Sequence, residues 1–175
     1  MKKRLQTISL ILVFLLLAVS CGNNDSSYSF ESDSIESNIG VEGNFCSLVI
    51  ECKTVLDHLD RLAPSVAERI PSDGVIFPQS TVSFESGETV ANLLRRVCDE
   101  NGIALETSGV SGSIYVEGIG HLYEFDCGDG SGWMYTVNSE FPNYGCDSRV
   151  LVPGDIVEWR YSCDFGNDIG CMIPD

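Results

Sequence analysis

The sequence predicts an α+β domain in which a mixed sheet packs on one main helix. One segment carries a clear helical period: Thr89 stands where a cap belongs, Val90, Leu93, Leu94, Val97 and Cys98 form an apolar stripe, and Gly102 follows as a stop. Before it, residues 45–52 alternate, with Cys46, Leu48, Ile50 and Cys52 on one face. After it come short apolar runs separated by glycine and serine clusters, the pattern of strands and turns.

The other elements follow in order. Thr54 is placed to cap a helix containing Val55, Leu56 and Leu59. Pro64 and Pro71 bound a short helical connector. Residues 75–77 and 81–84 read as two extended pieces, and Ser86-Gly87-Glu88 as a turn. Strands are expected at residues 104–107, 114–119, 121–125 and 132–137. Residues 150–152, the turn Pro153-Gly154-Asp155 and residues 156–161 make a closing hairpin. No repeat of solenoid period is present. A sheet gripping one helix, the β-grasp arrangement, satisfies this order.

Ten Lys and Arg stand against 26 Asp and Glu, a formal charge of −16. So acidic a chain is a poor partner for nucleic acid, whose phosphates need Lys and Arg. The first residues read as an export signal. Lys2, Lys3 and Arg4 precede an apolar run over residues 8–19, too short for the ~20 residues of a spanning helix. The run ends in Leu17-Ala18-Val19-Ser20-Cys21, which resembles a bacterial lipobox, with Ala18 departing from the commoner leucine. Residues 1–20 are thus expected to be removed and Cys21 to carry a lipid at the outer face of the membrane. Loss of three basic and no acidic residues takes the charge from −16 to −19. Residues 21–44 are rich in serine and carboxylates, carry no basic residue and show no apolar period, which predicts a flexible tether. The folded domain is expected over residues 45–170, with 171–175 as a tail.

Seven cysteines remain beyond Cys21. Export makes disulfides an expectation for Cys46, Cys52, Cys98, Cys127, Cys146 and Cys163, with the pairing open. Cys171, in the tail, is the candidate for the odd thiol. The alternative is that several are buried free thiols. No Cys-x-x-Cys occurs, which argues against a thioredoxin-like or zinc-ribbon site.

Catalytic chemistry is poorly supplied, and no catalytic or metal-binding residue is assigned. His58 falls late in a predicted helix, where a cation suits the dipole, and His121 reads as a solvated turn residue. No nucleophile elbow, zincin motif or phosphate loop is present. Asp126 and Asp129 flank Cys127-Gly128, but the distal glutamate of a calcium loop is missing. The informative stretch is residues 132–161. It holds both tryptophans and interleaves aromatic residues with Gly, Asn and Pro turns. Trp133, Tyr135, Asn138, Phe141 and Tyr144 are the candidate ligand-binding residues, because large flat side chains near turns suit a bulky, partly apolar ligand. The bland alternative is a small aromatic core, and it is the favoured one for Trp159 beside Val157.

At these residues the sequence resembles the transcobalamin-like C-terminal domain family. The segments that carry the resemblance are SGWMYTVNSEFPNYGC and VPGDIVEWRYSC, supported by CSLVIECKTVLDHL, PSDGVIFPQSTVSFESGETVANLLRRVCDENGI and YVEGIGHLYEFDCG. It extends over roughly residues 46–170. The resemblance implies a β-grasp, soluble-ligand-binding domain of the kind found in exported proteins and lipoproteins of Gram-positive bacteria. In animal relatives such a domain is one of two jaws around cobalamin. The helical barrel that forms the other jaw has no counterpart in these residues. The sequence departs from the family pattern at Ser139, where a glycine is expected after Asn138. It departs again at Asp147-Ser148-Arg149-Val150, where an aromatic is expected, and Cys171 is an extra cysteine.

Three functions are weighed on these grounds. The first is a surface-anchored lipoprotein that captures cobalamin or another corrinoid for a membrane transporter or a second ligand-binding domain. The second is an extracellular interaction or structural module without a small ligand. An enzyme is the least supported.

Overall fold

The computed structural model describes residues 43–171. The expected signal peptide (residues 1–20), Cys21, the expected tether up to residue 42 and residues 172–175 lie outside the described residues. In chain order these form β1 (Asn44–Glu51), a 3₁₀ stretch (Lys53–Arg61), α1 (Pro64–Ala67), β2 (Val75–Phe84), α2 (Val90–Asn101), β3 (Leu105–Ser108), β4 (Tyr115–Ile119), β5 (Leu122–Tyr123), β6 (Gly132–Val137), β7 (Ile156–Ser162) and a 3₁₀ turn (Asn167–Ile169).

The main sheet has the order β2-β1-β7-β6. Its central pair, β1 and β7, is parallel, and both flanking pairs are antiparallel. The sheet is therefore mixed, and the α+β class follows as the sequence predicts. Its inner face is built by alternation: Cys46, Leu48 and Ile50 from β1 and Val157, Trp159 and Tyr161 from β7 are all buried. β3, β4 and β5 form a second, smaller antiparallel sheet.

Helix α2 supplies the other side of the core. Val90, Leu93, Leu94, Val97 and Cys98 are buried in one cluster with the sheet residues. The Asn92 N–H donates to the Thr89 hydroxyl at 3.3 Å, the capping bond that Thr89 suggests, worth about 1 kcal/mol. Gly102 ends the helix in the left-handed region, at φ 64°.

Four expectations need correction. Thr54 caps no helix: the segment after β1 is 3₁₀, kinked at His58, and the Thr54 hydroxyl instead donates to the Tyr161 carbonyl at 2.6 Å. The two extended pieces around Pro78 are one strand, β2, with a register shift opposite residues 48–50. β2 is an edge strand, so Pro78 forfeits no ladder bond on the open side. The strand expected at residues 121–125 is only Leu122–Tyr123, because Gly120 and His121, at φ 62° and 68°, form the turn between β4 and β5. There is no closing hairpin. Residues 150–152 make a single bridge, Thr89 to Val150, because their polar groups are drawn to the start of α2: the Leu151 N–H donates to the Glu88 carbonyl at 2.9 Å. β7 is free to pair with β1 and β6.

Cys46, Cys52, Cys98, Cys127, Cys146, Cys163 and Cys171 are all buried free thiols in the structure. Cys171, the candidate odd thiol, is buried at 8% exposure. Burial pushes the Cys163 thiol up, and its hydrogen-bonding neighbour Cys127 adds to the effect. No helix among the described residues is long and apolar enough to cross a membrane.

Candidate functional site

The connection from β6 to β7 builds the site. It leaves β6 through a two-residue turn closed by Val137 and Glu140, with the Val137 N–H donating to the Glu140 carbonyl at 3.0 Å and the reverse bond at 3.1 Å. Asn138 and Ser139 occupy the turn at φ 55° and 67°. Asparagine suits that backbone; Ser139 does so at a cost, since only glycine enters it freely.

The start of α2 holds the far end of the connection. The first N–H groups of a helix have no partner within it. Here the Val90 N–H donates to the Arg149 carbonyl at 2.9 Å and the Ala91 N–H to the Cys146 carbonyl at 3.1 Å. Cys146, 3% exposed, is the loop's apolar anchor in the core. Burial, then the adjacent Asp147, push its thiol up to about 11. The Tyr135 hydroxyl adds a third tie, donating to the Tyr144 carbonyl at 2.9 Å.

Between these ties lies an open cavity of about 670 Å³, lined among others by Asn138, Glu140, Phe141, Asn143, Tyr144 and Arg149. Tyr144 is 48% exposed, so a large ring face is offered to a ligand. Arg149 closes one side. Its Nη2 donates at 3.0 Å to both carboxylate oxygens of Asp155, and the Asn138 amide donates to the same carboxylate at 3.0 Å. The arrangement can stack a flat ligand on aromatic faces and offer it a fixed cation, a carboxylate at the rim and backbone polar groups.

Three of the five candidate residues, Asn138, Phe141 and Tyr144, thus share one cavity. Tyr135 stands behind it: its ring packs against Trp159 with centroids 5.4 Å apart, and burial pushes its phenol strongly up. Trp133 is not with them. It is 6% exposed, its Nε1 donates to the Leu122 carbonyl at 2.8 Å, and its ring meets Tyr161 edge-on at 5.3 Å. That is a core tryptophan with its polar tip satisfied. Trp159 is buried as its alternation with Val157 suggests.

Arg149 is the residue that sequence reasoning missed. It stands in the stretch that departs from the pattern of the family the sequence resembles, and its role depends on Asp155, which the sequence offers only as part of a turn. Among the described residues no group of three or more His, Cys, Asp or Glu side chains is arranged to hold a metal ion.

Residues 87–163 match a family model described as a domain of unknown function, DUF4430. That stretch contains α2, the second sheet, β6, β7 and the whole cavity loop. No match was found among curated proteins. Among solved structures the chain is similar to haptocorrin in complex with Cbi, at 16% identity and TM-score 0.48, over 69% of this chain and 25% of that one. This chain thus spans a quarter of the haptocorrin chain. It is also similar to a protein of Ruminococcus gnavus ATCC 29149 to which metal binding is only ascribed, at 12% identity and TM-score 0.40, over 68% of this chain and 96% of that one.

Proposed function

We propose that this chain is a non-catalytic ligand-capture domain that takes a bulky, partly apolar ligand of the corrinoid class on the cavity at Asn138, Phe141, Tyr144 and Arg149. The observation that supports it most is the cavity itself: two aromatic side chains on a loop tied down at both ends, beside a guanidinium whose charge is already balanced. Its volume falls in the ordinary range for small-molecule sites. Its openness suits one face of a larger ligand, the other face being left for a second binding domain or a transporter. The sequence reading adds the rest of the proposal. A lipid on Cys21 holds the chain at the outer face of the cell membrane, and residues 22–44 give it reach.

The test is calorimetric titration of the purified chain with cobinamide and with cobalamin. Saturable binding is expected. It weakens roughly tenfold in a Phe141→Ala/Tyr144→Ala double variant, the loss typical of central aromatic anchors. Trp133→Phe leaves the affinity within about twofold, since Trp133 lies outside this cavity. A flat titration by a folded protein, with either corrinoid, overturns the reading.

A second reading rests on Val150, Val152 and Ile156, which are 47%, 51% and 44% exposed; Val150 follows Arg149, the Val152 N–H donates to Asp155, and the Ile156 N–H donates to Asn138 Oδ1. These apolar side chains suit a protein partner with no small ligand. A flat corrinoid titration together with a discrete complex abolished by Val152→Lys would favour that function.

A further inference from the structure

Two phenylalanines stand where both the backbone and the solvent argue against phenylalanine. Phe125 and Phe165 hold left-handed backbone, at φ 67° and 48°. Bulky residues enter that region only as outliers, and turn chemistry there asks for Gly or Asn. Nor does burial compensate, because both residues are 61% exposed. Backbone strain of this kind collects at binding sites.

The two loops that carry them are joined. The Phe125 N–H donates to the Ser131 carbonyl at 3.0 Å, and the Phe165 N–H to the Gly130 carbonyl at 2.9 Å. They border a cleft of about 400 Å³. Gly130 and Gly132 are among its lining residues. A side chain at Gly130 would strike the Phe165 ring, and one at Gly132 would face Glu124 at 3.7 Å and the Tyr115 hydroxyl at 4.0 Å. Tyr115, 48% exposed, is the third aromatic wall. Its hydroxyl donates to Glu124 Oε2 at 2.6 Å, which fixes the carboxylate. Burial, then Glu124, push that phenol up to about 12, so it keeps the proton it donates. Among the described residues no Lys or Arg lines the cleft.

Aromatic faces are electronegative, one carboxylate lines the cleft, and no Lys or Arg stands among its described lining residues. That combination attracts a cation. An ammonium bearing N–H groups would find few acceptors beyond Glu124, whereas a trimethylammonium group has no donors to satisfy and prefers ring faces. We propose that the cleft between Tyr115, Phe125 and Phe165 is a second binding site, for a small soluble compound carrying a trimethylammonium group. It shares no lining residue with the Phe141–Tyr144 cavity, so the two proposals stand or fall separately.

The test titrates the purified chain with choline chloride, followed by calorimetry and by the fluorescence of Trp133, which borders the cleft. Saturable binding is expected, with the neutral isostere 3,3-dimethylbutan-1-ol roughly tenfold weaker. Phe165→Asn is the decisive variant. Asparagine accepts the left-handed backbone, so its unfolding midpoint should hold or rise while choline binding falls roughly tenfold. Glu124→Gln, at the rim, should weaken choline binding and leave the alcohol unaffected. No saturation by about 10 mM choline, equal binding of the alcohol, or unchanged affinity in Phe165→Asn overturns the proposal. So does preference for phosphatidylcholine over phosphatidylglycerol vesicles without affinity for free choline, which would mark a lipid headgroup instead.

Discussion

Arg149 and Asp155 form an ion pair in which one guanidinium nitrogen lies 3.0 Å from both carboxylate oxygens. The two ends are not equivalent. The Asp155 side chain is 1% exposed and that of Arg149 21%. Asp155 also accepts from the Asn138 amide at 3.0 Å and from the Val152 N–H at 2.9 Å. One buried carboxylate therefore ties together the turn after β6, the charged side of the cavity and the turn before β7. The shape of the cavity and the stability of the fold depend on the same group.

Removing the arginine strands that carboxylate. Breaking a buried pair from one side costs about 3–5 kcal/mol in well-buried cases. Two hydrogen-bond donors remain on Asp155 and Arg149 is partly exposed, so Arg149→Ala should fall at or just below that range, at about 2–3 kcal/mol. Urea unfolding measures it as a lower midpoint at unchanged slope. Arg149→Lys should recover only part of the loss, since an ammonium does not reproduce a planar guanidinium. A loss below about 0.5 kcal/mol, the size expected of a surface pair, would show that the carboxylate is rehydrated.

Ser139 is held at φ 67°, a conformation it adopts only with strain. Relief by glycine gains about 1–2 kcal/mol, and glycine's extra freedom in the unfolded chain returns about 0.5–1. Ser139→Gly should therefore stabilise by roughly 0.5–1 kcal/mol, seen as a rise of about 2–4 °C in the unfolding midpoint. A fall in midpoint would mean that the serine hydroxyl makes an interaction worth more than the strain.

What the sequence reveals follows the range of the forces involved. α2 is legible from end to end because cap, stripe and stop are local. β6 is legible at residues 132–137 because alternation is local too. The same alternation puts Trp133 on the buried parity with Val137, so its core position was there to be read, against the pull of aromatic residues near turns. Pro78 made one bulged strand look like two, since only the sheet order shows that β2 is an edge. The closing hairpin failed because residues 149–151 answer to the start of α2, some 60 residues earlier, rather than to their neighbours. Phe125 and Phe165 are not legible in the sequence for the same reason: each loop looks ordinary alone, and the two are joined only through the Gly130 and Ser131 carbonyls.

The buried thiols give the fold a pH limit of known sign. The ordinary thiol value is near 9.0; burial pushes Cys46 and Cys146 up to about 11 and Cys52 and Cys98 up to about 12. In each case desolvation is the largest cause, with nearby carboxylates adding to it. Between about pH 9 and 11 the unfolded chain loses these protons while the folded chain keeps them, so the unfolded state binds fewer protons and stability falls as pH rises. Below about pH 9 both states hold the protons and these groups contribute no slope. Each thiol adds up to about 1.4 kcal/mol per pH unit inside the window. Urea midpoints measured under reductant should be level with respect to these groups up to about pH 8.5 and drop steeply by pH 10.5. Cys52→Ala should reduce the slope by roughly the share of one thiol, at some cost in packing at every pH. Oxidised protein is the contrasting case, because a sulfur in a disulfide does not titrate. A slope that vanishes when reductant is withheld would show that the chain pairs these cysteines, and a level profile to pH 11 under reductant would show that water reaches them.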